Sequence, residues 1–386
     1  MKSAAVLIIG GGVIGASVAC HLARKGVRDI VVVDGSPGRG AGSTGRATGG
    51  FRAQFSTRVN VRLSLLSREL LLRFRDDTGV DPGYIQAGYL WLAGNDAQLR
   101  ALNDARQVQI AEGVHEARGV TLPDIAAINP AVSLDGIVGG AYCPTDGFIR
   151  PLEILEGYLT AAARLGVRVW WNTSVVGVKR GSDGRAVTVL TSHGEIAVEQ
   201  IVNAAGPWAA GVASLAGVVL PVTALRRQVA FTEACDLLPV RMPMTIFLDD
   251  GFHLRVRDGR VLLAWPSPGV AGAPFVTTVD DSWIDEVSRR TRERIPALRE
   301  IQIDRNSCYG GLYEMSPDSH AILGRSAECD NFWLVNGSSG HGVMHAPALG
   351  QLLAEVICGQ ETAIDVSALS PLRFADGREP AKQELL

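Results

Sequence analysis

Buried apolar runs separated by glycine-rich turns mark the beginning of the chain. Residues 4–9 form an apolar run with the length of a strand buried on both faces, and the run stops at the three glycines 10–12. A helix follows and ends near Gly26, and residues 30–33 form a second buried strand that finishes at Asp34. The pattern predicts one complete β-turn-α-β unit.

Helical patterns occur at several later places. The predicted helices cover residues 56–77, 95–112, 151 to about 165, 280–294 and about 346 to 358. Asn95 and the acidic start at 280–282 are predicted N-caps. Pro151 and Pro347 are predicted to lie in first helical turns, and Gly359 follows the last helix.

Apolar and alternating runs predict strands along the rest of the chain. Before residue 210 the predicted strands are 84–93 and the meander 167–171, 175–179, 187–191 and 196–198. A further buried strand opens the stretch 200–208 and leads through a glycine turn into a helix. After it they are 220–232, 242–248, the hairpin 253–265 around Asp258 and Gly259, 322–324 and 332–335. Residues 35–55 and 119–145 are predicted to be irregular because glycine, proline and small polar residues interrupt them.

Composition narrows the class of protein. The chain has 386 residues, 47% of them hydrophobic and 20% charged, as in an ordinary globular enzyme. A formal net charge of -3 does not indicate a surface that binds nucleic acid or an anionic membrane. The six cysteines stand far apart without metal-ligand spacing, which predicts reduced thiols in a cytoplasmic protein without a metal site. Glycines within residues 3–23, followed by Arg24, argue against a membrane span or signal peptide.

The opening unit has the residues of a dinucleotide site. Gly10 permits the tight turn, Gly12 lets the backbone approach a pyrophosphate, and Gly15 lets the helix pack on the strand. The helix N-terminus stabilises phosphate charge. Asp34 follows Gly15 by 19 residues, where a carboxylate accepts hydrogen bonds from ribose hydroxyls, and this favours FAD or NAD over a 2′-phosphorylated cofactor.

Two later glycine-rich segments are also candidates for contact with the cofactor. The loop after Asp34 is either a solvated linker or a segment laid along the cofactor, where Ser43 and Thr44 donate to phosphate and flavin oxygens. The turn at 337–342 precedes a helix whose N-terminus would stabilise negative charge on a reduced flavin. An enzyme that bound NAD alone would leave both segments without a purpose.

Five motifs in order resemble the FAD-dependent D-amino-acid oxidase superfamily, and within it the branch of sarcosine oxidase β-subunit, dimethylglycine dehydrogenase and dye-linked proline dehydrogenase. They are GGGVIG with Asp34, GSTGRATGGFRAQF, VNAAGPWA, GLYEMSPDSHAILG and NGSSGHGVMHAPALG, and they span nearly the whole chain. The resemblance implies an α/β (α+β) fold in which a glutathione-reductase-like Rossmann FAD-binding domain is interrupted by a substrate domain with a mainly antiparallel sheet. It also implies oxidation of the C–N bond of a small amino acid or secondary amine, such as sarcosine, dimethylglycine or proline, by hydride transfer to flavin N5. The imine product would hydrolyse in water.

The predicted domains are discontinuous. The FAD-binding domain comprises 1–80, 146–215 and 305–375, the substrate-binding domain comprises 81–145 and 216–304, and 376–386 is a C-terminal tail. The predicted cofactor-binding residues are Gly10, Gly12, Val13, Ile14, Gly15, Asp34, Gly35, Ser43, Thr44, Arg46, Ala47, Gly49, Gly50, Val176, Ala205, Gly206, Trp208, Gly311, Gly337, Gly340, His341, Gly342, Val343 and Met344.

The resemblance also implies catalytic residues. Arg52 stands where sarcosine-oxidase-like enzymes place the arginine that pairs with the substrate carboxylate, although it could also be a surface or phosphate-contacting arginine. His341 lies in the turn beside the flavin and could equally be structural. The further pocket candidates are Tyr309, Tyr313, His253 and Arg255, for which strand packing is the alternative.

Departures from the family pattern bear on the electron acceptor, which is oxygen or another compound. Monomeric sarcosine oxidases carry a lysine in the substrate strand and another after the GHG turn, whereas this chain has none in 261–265 and has Met344 at the second place. Both absences favour a dehydrogenase, or an oxidase that uses another device. Cys308 is near the family's flavin-linking cysteine but is not clearly in register with it, so non-covalent FAD is predicted, with covalent attachment as the alternative.

Two other functions remain open. One is a D-amino-acid or glycine oxidase that produces hydrogen peroxide. The other is a flavoprotein subunit or assembly factor that needs a partner, with the basic run 289–294 at the interface instead of on a solvated helix face. A homo-oligomer and a partner subunit are both compatible with the sequence.

Overall fold

The computed structural model describes residues 2–267 and 275–374, so the predicted tail at 376–386 lies outside the described residues. The strands are β1 (Lys2–Ile9), β2 (Ile30–Val33), β3 (Gly50–Phe51), β4 (Tyr89–Ala93), β5 (Arg118–Val120), β6 (Gly139–Cys143), β7 (Gly147–Phe148), β8 (Arg168–Trp170), β9 (Val175–Arg180), β10 (Ala186–Thr191), β11 (Gly194–Asn203), β12 (Thr223–Phe231), β13 (Met244–Phe247), β14 (His253–Arg257), β15 (Arg260–Ala264), β16 (Tyr309–Met315), β17 (Ile322–Arg325) and β18 (Phe332–Asn336). The helices are α1 (Val13–Arg24), α2 (Arg58–Leu72), α3 (Phe74–Thr78), α4 (Asp96–Ala111), α5 (Leu122–Ile128), α6 (Pro151–Arg164), α7 (Ala209–Leu215), α8 (Asp281–Arg294) and α9 (Gly342–Ile357).

The first sheet is built around β1. Its strands follow the order β17-β18-β11-β1-β2-β8, and β1 runs parallel to both neighbours, with Ile8 opposite Val32 and Val202. α1, α6 and α9 pack over one face, and a second apolar cluster that includes Leu7 and Ile201 covers the other. Coverage of both faces explains why β1 and β2 are continuous apolar runs in the sequence.

β11 is longer than the sequence pattern predicts. Residues 196–198 and 200–203, predicted as separate strands, belong to one strand of ten residues. β11 pairs antiparallel with β10, where Ile196 faces Val189, and parallel with β1 as far as the pair Ile9 and Asn203. The polar pair Glu199 and Gln200 interrupts the apolar pattern without turning the chain.

The second sheet is mainly antiparallel. Its order is β16-β12-β15-β14-β13-β4-β6-β5, and only β4 and β13 are parallel neighbours within it. The β14–β15 hairpin turns at Asp258 and Gly259, whose φ angles of 52° and 73° suit the turn that hairpins prefer. Trp283 and Val287 of α8 cover one face of this sheet.

These two sheets confirm the predicted fold class of a Rossmann-like parallel sheet combined with a mainly antiparallel second sheet. The domain boundaries stay a prediction. β16 lies within the 305–375 range predicted for the cofactor domain, and it pairs along its length with β12 of the second sheet.

Several predictions of local secondary structure were wrong. Residues 119–145, which were predicted to be irregular, contain β5, α5 and β6. Pro123 does not interrupt a helix here, because it lies in the first turn of α5, where Thr121 and Asp124 form a capping box. The helix predicted over 56–77 is interrupted at Arg73. Within the supposedly irregular 35–55 segment, Ser43–Arg46 forms a 3-10 turn and β3 pairs with β7.

α8 and α9 also differ from the predictions. α9 begins at Gly342 instead of about Ala346, so Pro347 lies inside the helix and not in its first turn. Asp280 does not cap α8 with its side chain and instead accepts hydrogen bonds from Arg226. Arg290 and Arg294 of the basic run are not solvated, because both pair with Asp250 over aromatic rings.

Candidate active site

Glycine shapes the turn between β1 and α1. Gly10 has a φ of 111°, and a Cβ there would lie 2.3 Å from the carbonyl oxygen of Ala204. A Cβ on Gly15 would lie 2.0 Å from the carbonyl oxygen of Gly10. Since a side chain at either place would push these segments apart, glycine permits α1 to start directly against the ends of β1 and β11.

A cavity of about 570 Å³ lies beside this turn, at the carboxyl ends of β1, β2 and β8. The residues predicted to hold the cofactor that line it are Gly10, Gly12, Val13, Ile14, Asp34, Gly35, Ser43, Thr44, Arg46, Ala47, Ala205, Gly206, Trp208, Gly311, Gly340, Gly342 and Val343. Segments that are far apart in the sequence therefore meet in one wall. The edge formed by the carboxyl ends of parallel strands is where open α/β sheets bind ligands.

Other predicted cofactor residues do not line this cavity. They are Gly15, Gly49, Gly50, Val176, Gly337, His341 and Met344. Val176 is 59% exposed, and Val175 lines the wall in its place because neighbouring residues of a strand face opposite sides. A Cβ on Gly50 would lie 1.9 Å from the hydroxyl of Tyr89, so this glycine serves the packing of the loop on the second sheet.

Sequence reasoning missed part of the wall. Trp171, Thr173 and Ser174 line the cavity, and the ring of Trp171 would lie 2.8 Å from a Cβ on Gly11. These residues follow the end of β8, so the rule that ligands lie at carboxyl strand ends could have identified them. Glu314 and Ser338 also line the cavity; both lie in motifs that resemble the family, but neither was among the predicted cofactor-binding residues.

Asp34 is held in a fixed orientation at the rim of the cavity. One carboxylate oxygen accepts a hydrogen bond from the Gly11 N–H at 2.7 Å, and the other accepts from the N–H of Ser36 at 2.8 Å and from its hydroxyl at 2.6 Å. The oxygen that accepts from Gly11 has capacity for a further bond, whereas the other already accepts two. The predicted role as a ribose acceptor is therefore compatible with this geometry.

Ser43 and Thr44 use their hydroxyl groups differently. The Ser43 hydroxyl donates to the carbonyl oxygen of Leu312 at 2.8 Å, and its role as a phosphate donor stays a prediction. The Thr44 hydroxyl accepts from the N–H of Val13 at 3.1 Å, which leaves its own hydrogen for a ligand in the cavity.

Two features of the far wall fit a dinucleotide cofactor such as FAD. Gly342 and Val343 are the first residues of α9, where N–H groups lack acceptors within the helix. Glu314 is buried, its Oε2 has no hydrogen-bond partner, and burial raises its pKa while bonds from Ser338 oppose that rise. A wall with exposed donors, a buried orphan acceptor and little side-chain bulk matches a large polar ligand that carries phosphates.

Arg52 lies just beyond this cavity, directly after β3, and is 4% exposed. Its guanidinium is 3.9 Å from the ring centroid of Phe55 and 5.1 Å from that of Trp91. One nitrogen donates to the carbonyl oxygen of Gln54, and another is 3.2 Å from His341 Nε2. Burial lowers the pKa of Arg52 to about 10, so the side chain remains a cation at neutral pH.

The contact with Arg52 fixes the protonation of His341. Because a guanidinium only donates, His341 Nε2 accepts, and the ring proton is on Nδ1. The rings of His341 and His345 both pack on Phe55, at centroid distances of 4.8 and 5.3 Å. Burial lowers the pKa of His345 to about 3, and its Nε2 is 2.9 Å from the Ser64 hydroxyl.

Asp146 anchors the segment that carries Arg52. Its carboxylate accepts from the N–H of Ala53 at 2.8 Å and from the side-chain amide of Gln54 at 3.1 Å. Burial raises the pKa of Asp146 to about 6, although these two bonds and the charge of Arg52 act in the opposite direction. Arg255, a predicted pocket residue, braces the preceding residues by donating to the carbonyl oxygens of Thr48 and Gly49.

The second sheet presents one row of side chains towards Arg52. The register aligns Trp91, Ile246, His253, Ala264, Val229 and Tyr309 across five strand pairs. The pKa of His253 is lowered by burial, and its Nδ1 is 2.9 Å from the carbonyl oxygen of Gly251. Burial also raises the pKa of Tyr309 and Tyr313, so both phenols are neutral.

Two features are absent from the described part of the chain. In residues 2–267 and 275–374, no group of three His, Cys, Asp or Glu side chains is placed to hold a metal ion. The same residues contain no helix with the length and apolar character needed to cross a bilayer.

Comparison with known proteins gives a consistent set of relatives. The model of the DAO family, described as FAD-dependent oxidoreductases, matches residues 5–356. Mitochondrial dimethylglycine dehydrogenase of Rattus norvegicus is 28% identical over 394 residues, which cover 96% of this chain and 45% of the relative. Glycine oxidase of Geobacillus kaustophilus is 27% identical over 379 residues, covering 95% of this chain and 96% of that protein. The crystal structure of L-proline dehydrogenase from P. horikoshii superimposes with a TM-score of 0.90 at 27% identity, covering 98% of this chain and all of that one.

The chain spans less than half the length of the dimethylglycine dehydrogenases that it matches. It spans nearly the full length of the glycine oxidase and of the proline dehydrogenase structure. The similarity therefore covers the part of the larger relatives that corresponds to this fold.

Proposed function

Since this chain belongs to the DAO family of FAD-dependent oxidoreductases, we propose that it oxidises the C–N bond of a small amino acid or secondary amine. The observation that carries the proposal is Arg52, a buried cation beside the cofactor cavity and opposite the apolar and aromatic row of the second sheet. Such a guanidinium suits the carboxylate of an amino acid. The relatives named above act, by their names, on dimethylglycine, glycine and L-proline.

FAD, when bound, would supply the acceptor for the hydride of the substrate C–H bond, which carries both electrons of the oxidation. The chain's own residues bind and orient the substrate. Arg52 holds the carboxylate, while Trp91 packs on its guanidinium and Tyr309 lies in the same row of the second sheet. His341 accepts from Arg52 and keeps the guanidinium in place. The imine product hydrolyses after release, so the reaction needs no protein nucleophile.

We further propose that FAD is held non-covalently. Cys308 packs with the cluster on the α8 face of the second sheet, and its thiol contacts the carbonyl oxygen of Asp304 at 3.4 Å. Burial raises the pKa of this thiol, which disfavours the reactive thiolate. The absence of lysine from 261–265 supports a dehydrogenase over an oxidase.

The first test is an anaerobic titration of the purified holoprotein with sarcosine, dimethylglycine, glycine, L-proline and D-amino acids. We expect bleaching of the flavin absorbance by at least one member, followed by slow reoxidation when air is admitted. Fast reoxidation with release of peroxide would indicate an oxidase. A bound flavin that no amine reduces would favour a subunit that needs a partner.

The role of Arg52 is tested by Arg52→Lys. Loss of a buried guanidinium that pairs with a carboxylate should raise KM about 30-fold or more, with flavin retained. Arg290→Lys is the matched control, because Arg290 also stacks on a tryptophan, at 3.8 Å from Trp265, but pairs with Asp250 on the α8 face. A normal KM in Arg52→Lys would remove Arg52 from the substrate site.

A further inference from the structure

Two neighbouring arginines of β12 have different surroundings. Arg226 forms an ion pair with Asp280 at 2.6 Å and donates to the carbonyl oxygen of Thr278 at 2.9 Å. Arg227 is on the opposite face of the strand, where its Cα pairs with that of Gly311. Gly311 lines the cofactor cavity, so Arg227 faces the active-site side of the sheet.

Arg227 is a half-buried cation without a counter-charge. Among the described residues, its guanidinium has no carboxylate within ion-pair distance and no hydrogen-bond acceptor, and its recorded contact is the ring of Tyr313, 5.9 Å from the guanidinium carbon. Among the described residues, three other shielded arginines have carboxylate partners, whereas Arg255 donates to backbone carbonyl oxygens instead. Arg290 and Arg294 pair with Asp250, and Arg373 pairs with Asp318.

Leaving a partly desolvated guanidinium unpaired is costly, and folded proteins avoid it unless function requires it. Burial lowers the pKa of Arg227, with no carboxylate to oppose the shift. Two buried carboxyl groups, those of Asp146 and Glu314, are not paired with Arg227: Asp146 accepts from the N–H of Ala53, and one oxygen of Glu314 accepts from the Ser338 hydroxyl. A negatively charged ligand on this face of the sheet would supply the missing counter-charge.

Arg227 shares its surroundings with Arg52. Burial has the largest effect on the pKa of His253 and lowers it, while the bond to Gly251 raises it. The charges of Arg227 and Arg52 each lower this pKa further. Both also oppose the rise that burial imposes on the pKa of Tyr313. The ring of Tyr313 in turn packs on the Gly340 turn, where a Cβ would lie 2.5 Å away. Arg52 and Arg227 therefore act on the same two side chains, His253 and Tyr313.

We propose that Arg227 binds a second carboxylate of the substrate, so that the preferred substrates are amino acids with two acidic groups. This proposal rests on the proposed function, in which Arg52 holds the first carboxylate. The amine would lie between the two arginines. An acidic group at each end would position the reacting C–H bond from two sides.

Paired substrates test this proposal. Sarcosine is compared with N-methylaspartate and N-methylglutamate, and glycine with aspartate and glutamate, both enantiomers where they exist, by anaerobic reduction of the holoprotein. The di-acid in at least one pair should have the higher kcat/KM. Arg227→Gln should lower the di-acid to mono-acid ratio of kcat/KM about 30-fold or more. Arg226→Gln, whose site faces α8, should leave that ratio at the wild-type value.

A binding measurement that does not depend on turnover completes the test. Acetate, succinate and glutarate are titrated into the holoprotein, and the shift of the flavin absorbance reports binding. A dicarboxylate should bind more tightly than acetate, and Arg227→Gln should abolish this advantage. Retention of flavin in Arg227→Gln is measured in the same samples.

The outcomes separate the two proposals. If no amine reduces the flavin, the proposed function fails. If mono-acids reduce it and di-acids have no advantage, or Arg227→Gln lowers both classes equally, the second-carboxylate proposal alone is wrong. Loss of flavin from Arg227→Gln, with retention in Arg226→Gln, would assign Arg227 to the cofactor and would also overturn it.

Discussion

At the scale of single residues, buried histidines make the stability of this protein sensitive to acid. His345 is 1% exposed, and burial lowers its pKa to about 3. The unfolded chain binds a proton at this site below about pH 6.5, whereas the folded chain does not. The stability contribution is therefore complete above pH 6.5 and is lost as the pH falls from 6.5 towards 3.

His345→Gln tests this linkage, because glutamine can still bond to the Ser64 hydroxyl and does not titrate. The loss of unfolding free energy between pH 7 and pH 5 should be smaller in the variant by about 2 kcal/mol. Urea unfolding at both pH values measures it. An unchanged pH dependence would show that His345 is protonated without difficulty in the folded protein. His115→Gln is the control, since this histidine is exposed.

Residue roles were predictable where backbone geometry demanded one residue type. Gly10 and Gly15 could be assigned from the sequence because only glycine fits their contacts. The arginines of β12 could not be distinguished in that way. Arg226 and Arg227 are adjacent and chemically identical, and only the pairing of β12 with β16 determines which of them faces the cavity side.

At the scale of elements, the close approach of α1 to the end of β1 depends on Gly15. Gly15→Ala would place a Cβ 2.0 Å from the carbonyl oxygen of Gly10 and 3.4 Å from the Ala204 side chain. Because the turn must shift to make room, we expect loss of most bound flavin and a lower melting temperature. Flavin absorbance after gel filtration and thermal unfolding measure the two effects.

Gly211→Ala is the matched control. Gly211 lies within α7, and an added Cβ there would meet nothing within 4 Å. Since alanine favours a helix over glycine, this variant should retain flavin and should gain up to about 1 kcal/mol of stability. Full flavin retention in Gly15→Ala would mean that the helix can retreat from the turn at little cost.

Elements were predictable where one periodicity continued between clear boundaries, as in α1, α4 and α6. They were missed where a proline or glycine that is typical of a loop or turn lay at the start of a helix instead. Pro123 resembles a loop signal but starts α5. Gly342 resembles the end of a turn but is the first residue of α9, where its small size accommodates the Ser338 hydroxyl.

At the scale of the whole molecule, the segment after α9 is fastened to the first sheet by Arg373. Its guanidinium pairs with Asp318 at 2.8 Å and donates to the carbonyl oxygens of Leu369 and His320. Both side chains of the ion pair are shielded, with exposed fractions of 13% and 3%. Although burial opposes it, hydrogen bonds from His320 and Arg373 lower the pKa of Asp318 well below its usual range.

Arg373→Met should destabilise the protein by about 3 kcal/mol at pH 7, because Asp318 would keep its buried charge without a partner. The deficit should shrink as the pH falls below about 4, where the unfolded carboxylate takes up a proton and the stabilisation is lost in the wild type as well. Denaturant unfolding at pH 7 and pH 3.5 measures the difference. Equal deficits at the two values would show that the charge of Asp318 is not the cause. Arg325→Met, an exposed pair with Asp330, should cost less than about 1 kcal/mol.

The arrangement of two sheets could be predicted because strand lengths, turns and family motifs agreed along the chain. The way in which the sheets share β16 could not. β16 pairs within the second sheet, and its residues Gly311–Glu314 line the cofactor cavity, so one strand serves both parts of the molecule. Sequence patterns describe which residues of a strand are buried, but they do not tell which neighbour it joins.

The composition of the cavity wall has a consequence for biosynthesis. The wall is assembled from segments near residues 10, 34, 44, 171, 205, 311 and 340. A ribosome must therefore have translated past residue 340 before the last of these segments can leave the exit tunnel. Flavin capture must consequently wait for that point, and a nascent chain that stalls before residue 340 would carry a Rossmann-like beginning that cannot yet retain its cofactor.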